Sequence, residues 1–148
     1  MASRRSDAPR LPARYVALLL DLLESLGVER EPLLRAARIR SIESPTSQVT
    51  LPQFEALVRL AEQQSGRTDL GFEFGRRLDP TTHDVLGFAM LTSPTLGHVL
   101  RLAVTYQRLI QPFFALSLHR SPERAELVYV PAMALSHRLL RMMEEAIV

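Results

Sequence analysis

Histidine, aspartate and glycine are the residue types in this chain whose chemistry is worth weighing first. The four histidines are His83, His98, His119 and His137. No two of them stand four apart on one helix, and the sequence has no cysteine and no His-Glu-x-x-His run. A zinc site needs such ligands at such spacings, so a metal centre is not expected. His83 adjoins Asp84. Neighbouring residues of a helix point apart, and no serine or cysteine sits in a nucleophile elbow, so no acyl-transfer constellation forms. Gly71, Gly75, Gly87 and Gly97 fall among leucines and phenylalanines, and they match neither the GxGxxG nor the GxxxxGK spacing of a phosphate loop. No cofactor is implied and no enzyme is expected.

What is left is binding chemistry. Phe72, Phe74, Phe88, Tyr106, Phe113, Phe114 and Tyr129 lie within one part of the chain. Small-molecule pockets combine apolar walls with a few polar tips. Phe88, Phe113 and Phe114 are candidate walls, and His98, Tyr106, Ser117 and Tyr129 are candidate tips. Taken singly, each aromatic reads more simply as core. His98 reads more simply as an ordinary surface or partly buried histidine.

The 148 residues carry 47% hydrophobic and 23% charged residues, which suits one globular domain. No apolar run approaches the ~20 residues of a membrane span, and no signal peptide is evident. The expected compartment is the cytoplasm. All 18 basic residues are arginine. They are scattered among acids, and a net charge of +2 gives no basic face of the kind DNA binders carry. The bland account is a GC-rich coding sequence; the functional one is an anion-binding surface.

The elements that must position these side chains are mostly helical. Residues 1–12 read as a loose lead-in. Val16, Leu18, Leu19, Leu22, Leu23 and Leu26 follow helical spacing over residues 13–26, with Gly27 as the stop. Pro32 opens a short helix to residue 37, and residues 38–49 read as a loop. Thr50 and Gln53 form a capping box for a helix that stops near Gly66. Short helices are expected over residues 69–78 and 84–91. Gly71 and Gly75 share a face in the first, which permits close approach of another element. Thr95 caps a helix whose apolar stripe is Leu96, Val99, Leu100, Ala103, Tyr106 and Ile110. After Pro112 the period falls to two, and Ser121-Pro122-Glu123-Arg124 makes a turn between two strands. Residues 136–148 return to helix, with Leu139, Leu140, Met143 and Ile147 expected inside. Glu144 and Glu145 are expected on a solvated face, and Asp69, Asp79 and Asp84 at caps and turns. The fold class is therefore α+β: a mostly helical single domain with a small antiparallel hairpin. With no stop signal on its last helix, the chain is expected to be a piece of a longer protein. The alternative is an intact chain whose apolar tail docks in an oligomer.

The series Leu70-Gly71-Phe72, Gly75-Arg76-Arg77-Leu78, Leu86-Gly87-Phe88-Ala89-Met90-Leu91, Ser93-Pro94-Thr95-Leu96-Gly97, Leu100-Arg101-Leu102 and Tyr106 resembles a known domain. It is the N-terminal, arabinose-binding-like regulatory domain of bacterial AraC-type transcriptional regulators. The likeness covers roughly residues 13–130 and rests on the order of motifs rather than on any one of them. It implies a regulatory domain over residues 13–148 that binds a small effector of unknown identity, dimerises, and controls DNA binding by a C-terminal helix-turn-helix pair not in this sequence. Arabinose itself is not implied. Two other accounts stand beside it: a ligand-free oligomerisation module with a filled interior, and a small DNA-binding domain built from the helices between Pro32 and Gly66. The loop over residues 38–49 is too long for a helix-turn-helix connection, which counts against the latter.

Overall fold

In the computed structural model, which describes residues 8–147, helical periodicity is realised wherever it is strong. Helix α1, Ala13–Ser25, buries Val16, Leu19, Leu20, Leu22 and Leu23 along one stripe and ends at Gly27, whose φ of 81° only glycine adopts without strain. Helix α2, Arg30–Ala36, carries Pro32 in its first turn. Helix α3, Leu51–Ser65, starts at the expected capping box. Thr50 Oγ1 accepts from the Gln53 backbone N–H at 3.4 Å, and Gln53 Oε1 accepts from that of Thr50 at 3.0 Å. The helix ends at left-handed Gly66.

Two stretches expected to be irregular contain strands. Strand β1, Arg10–Pro12, pairs antiparallel with β2, Gln48–Thr50, setting Leu11 opposite Val49. Each strand buries just one residue, Leu11 and Val49, so neither has an alternation to read. The lead-in is therefore not loose at residues 10–12; its residues 1–7 lie outside those described. The segment between α2 and α3 is likewise tied down by β2, which separates those helices.

Helix α4, Leu70–Gly75, is shorter than the spacing predicts and is followed by turns to Asp79. Its two glycines lie against the last helix, α7, His137–Ile147. A Cβ on Gly71 would stand 2.3 Å from the Met142 carbonyl oxygen, and one on Gly75 would stand 2.5 Å from that of Ala146. The backbones therefore touch, as the four-residue spacing implies. The Glu145 carboxylate accepts from the Gly71 backbone N–H at 3.2 Å, so Glu145 is part of this contact and not of a solvated face.

Asp79 caps a 3-10 turn, Pro80–His83, by accepting from the Thr82 backbone N–H at 3.1 Å. Asp69 and Asp84 do not cap through their side chains. Asp69 instead pairs with Arg67 at 2.6 Å, and Asp84 holds a positive φ of 58° at the entry to α5, Val85–Leu91. Gly87 of α5 sits so close to Pro80 that a Cβ would overlap its carbonyl oxygen at 1.5 Å. Thr95 caps α6, Leu96–Ile110, by accepting from the His98 backbone N–H at 3.2 Å. Strands β3, Phe114–Arg120, and β4, Ala125–Pro131, form the hairpin, pairing Leu116 with Tyr129 and Leu118 with Leu127.

Among the described residues there are thus seven α-helices and two two-stranded antiparallel sheets, an α+β domain. The core joins α1, α3, α4 and α7 with Phe113 and Phe114 at the start of β3. Glu62 of α3 is buried in the seam with α7, where Arg138 donates to it at 2.7 Å and Arg141 bonds its other oxygen. Helix α7 buries Leu139, Met142 and Met143; Leu140 is only partly covered and Ile147, expected inside, is 54% exposed. The face of α7 that meets α4 runs through Met142, Glu145 and Ala146, and Ile147 beyond it borders a cavity rather than the core. No residue of α6 is fully buried, and Leu96 at its start is 72% exposed.

Candidate functional site

A cavity of about 210 Å³ lies where α6 and the hairpin meet the helical core. Leu11 of β1, Phe54 of α3, Phe74 of α4, Leu116 of β3 and Met143 of α7 supply apolar wall. Ala103 and Ile110 of α6 supply more. The polar tips belong to Tyr15, His83, Gln107, Gln111 and Tyr129, and among the described residues no Arg, Asp or Glu lines it.

Each tip has a definable state. The Tyr15 hydroxyl and His83 Nδ1 are hydrogen-bonded at 2.9 Å, joining α1 to the 3-10 turn. Burial lowers the His83 pKa, with the Arg14 cation acting in the same direction, which favours a neutral imidazole. Burial also raises the Tyr15 pKa, opposed by Arg14, whose guanidinium lies 5.2 Å from the tyrosine ring centroid. Arg14 reaches Asp84 at 3.9 Å. Burial alone pushes the Tyr129 hydroxyl far above the usual phenol range, and its ring stacks on Phe114 at 4.4 Å. Gln111 Nε2 donates to the Met143 sulfur at 3.6 Å, and its Oε1 accepts from the Phe113 backbone N–H at 3.4 Å. Gln107 Oε1 is sealed from solvent and has no hydrogen-bond partner among the described residues.

These groups can bind and orient a molecule. Among the described residues no three His, Asp or Glu side chains are placed to hold a metal ion.

Of the seven candidates taken from the sequence, Tyr129 lines the cavity. Phe114 stands behind it as its stacking partner, and Phe113 is in the core. Ser117 is on the other face of the hairpin, exposed and bonded to His119 at 3.2 Å. Phe88 is 67% exposed on α5, and Tyr106 is 46% exposed on α6, one residue from the lining Gln107. His98 is half-buried near the start of α6, away from the lining. Tyr15, His83, Gln107 and Gln111 are lining residues outside those seven pocket candidates. The spacing Ala103, Gln107, Ile110 marks one face of α6, with Gln111 just past its end, and a glutamine on such an apolar face is the signal that could have found it.

Residues 27–148 match the family described as the arabinose-binding domain of AraC transcription regulators, N-terminal. The chain belongs to this family. It is also 35% identical over 130 residues to the ornithine utilization regulator of Pseudomonas aeruginosa, an alignment covering 86% of this chain and 38% of that protein. The chain thus spans well under half the length of this relative. As an AraC-type domain it is the effector-binding part of a transcriptional regulator and not an enzyme. No helix among its described residues is long and apolar enough to cross a membrane.

Proposed function

We propose that this AraC-type domain binds a small effector in the cavity between the helical core and the α6–hairpin unit. Occupancy would bias DNA binding by a helix-turn-helix region elsewhere in the same cytoplasmic regulator. The regulatory domain is taken as residues 13–148 together with β1, because β1 supplies Leu11 to the cavity. The observation that carries the proposal is the cavity itself: a filled interior would favour a ligand-free module, and here apolar walls from six elements surround about 210 Å³ of unfilled space. The effector would work by population shift, favouring the arrangement of α6 and the hairpin in which it makes more contacts.

Dimerisation is the companion part of this proposal. It is supported by apolar side chains left in water on α5, α6 and the hairpin, among them Phe88, Leu91, Leu96, Leu109 and Val130. The relative's name ties that protein to ornithine utilization, and the family description names arabinose. Both compounds are therefore the first to test. The experiment is operator binding by the full-length regulator, with and without candidate effectors. The expected result is an affinity that changes with effector and loses that response when Ala103→Phe fills the cavity. Operator binding that is unaltered by deleting residues 1–148 and blind to every compound would overturn the proposal.

A further inference from the structure

The polar side chains around the cavity are few, and three of the five named are already bonded within the protein. Tyr15 and His83 satisfy one another, and Gln111 is engaged at both ends of its amide. Among the described residues no charged side chain lines the space. A ligand bearing an ammonium or carboxylate would give up its hydration there and find no counter-charge, and a sugar would strand most of its hydroxyls. One acceptor is different. Gln107 Oε1 is buried without a partner among the described residues, on a side chain that lines the cavity, and the terminal torsion of a glutamine is soft enough to turn that oxygen inward. Phe54, Phe74 and Tyr129 offer aromatic surface to whatever lies beside it. A cavity of about 150 Å³ is known to hold benzene. The 210 Å³ here suits a molecule somewhat larger, of one or two rings.

We propose that the cavity takes a neutral, compact, largely apolar molecule with a single hydrogen-bond donor that satisfies Gln107 Oε1. This rests on the cavity being the effector site, and it departs from both a sugar and a charged amino acid as ligand. The closed hydrogen bonds of Tyr15, His83 and Gln111 make the site selective by omission, since a second polar group on the ligand must displace one of them or pair with the Tyr129 hydroxyl.

The test is isothermal titration of the 148-residue chain with four probes: 2-naphthol, 2-methoxynaphthalene, L-arabinose and L-ornithine. The expected result is that 2-naphthol binds about tenfold more tightly than its methyl ether, the loss associated with one unmade buried hydrogen bond. Gln107→Leu should remove that preference while both naphthalenes still bind, and Ala103→Phe should abolish binding of both. Leu116→Phe fills the space from the hairpin side and replaces Ala103→Phe if the latter does not fold. Equal binding of the two naphthalenes, or a preference that survives Gln107→Leu, would overturn the inference. Tighter binding of arabinose or ornithine, lost on filling the cavity, would overturn the ligand class and leave the effector site standing. Binding of none of the four would overturn both.

Discussion

Helices α1 and α6 are both amphipathic and nearly equal in length, yet they are packed very differently. Helix α1 buries seven of its thirteen residues, whereas α6 fully buries none of its fifteen. One is held on several sides, by β1, α2, α3 and α4; the other leans on α5, β3 and the edge of β1. The cavity lies between these two regimes. Its fixed wall comes from elements that carry the stability of the domain, and its other wall from elements with little holding them in place. Segments with few buried contacts open at lower free-energy cost, which is what ligand-responsive parts require.

The comparison can be broken by substitutions on its two sides. Leu19→Ala, in the middle of α1, should cost about 2–5 kcal/mol in denaturant unfolding. A loss below 1 kcal/mol would mean that α1 is not the fixed side. Gly71→Ala tests the seam between α4 and α7. The added methyl meets main-chain atoms of α7, so the expected cost is about 1–3 kcal/mol, outweighing the ~1 kcal/mol that alanine brings to a helix interior. A stabilised variant would show that α7 can move aside freely. Glu62→Ala removes the carboxylate between α3 and α7. Its two arginine partners can turn to water, so the loss should be about 1–3 kcal/mol and not the larger figure for a fully buried pair.

A smaller effect is expected from pH. His83 has a depressed pKa in the folded protein, so the unfolded chain takes up its proton first. Stability is then complete above the ordinary value of 6.5 and is lost as pH falls from there toward the depressed one. Urea midpoints at pH 7.5 and 5.5 should differ in that direction, and His83→Gln should flatten the difference. The smallest change belongs to α6. Leu96→Ala should shift stability by no more than about 0.5 kcal/mol, and a loss comparable to that of Leu19→Ala would erase the contrast between the two helices.

Local signals in the chain were legible where the physics is local. The Thr50–Gln53 box, the stops at Gly27 and Gly66, the two-residue period through Phe114, Leu116 and Leu118, and the shared face of Gly71 and Gly75 all depend on neighbours in sequence. The strands β1 and β2 were not legible, because three residues with one buried side chain carry no period. The cavity was hidden for a different reason. Tyr15 and His83 stand 68 positions apart and meet only through the tertiary fold. The aromatics that looked like pocket walls were divided by packing: Phe113 and Phe114 went to the core and Phe88 to the surface, while Gln107 of α6 and Gln111 just past its end took places at the cavity.

The chain has no tryptophan and three tyrosines. Two of the three, Tyr15 and Tyr129, line the cavity. Its near-ultraviolet dichroism and its intrinsic emission are therefore signals from the walls of that space more than from the rest of the domain. Tyr129, held against Phe114, sits in a fixed chiral setting that a guest would disturb at once. The domain carries its own optical probe, and a compound entering it can be followed without a label or an added chromophore.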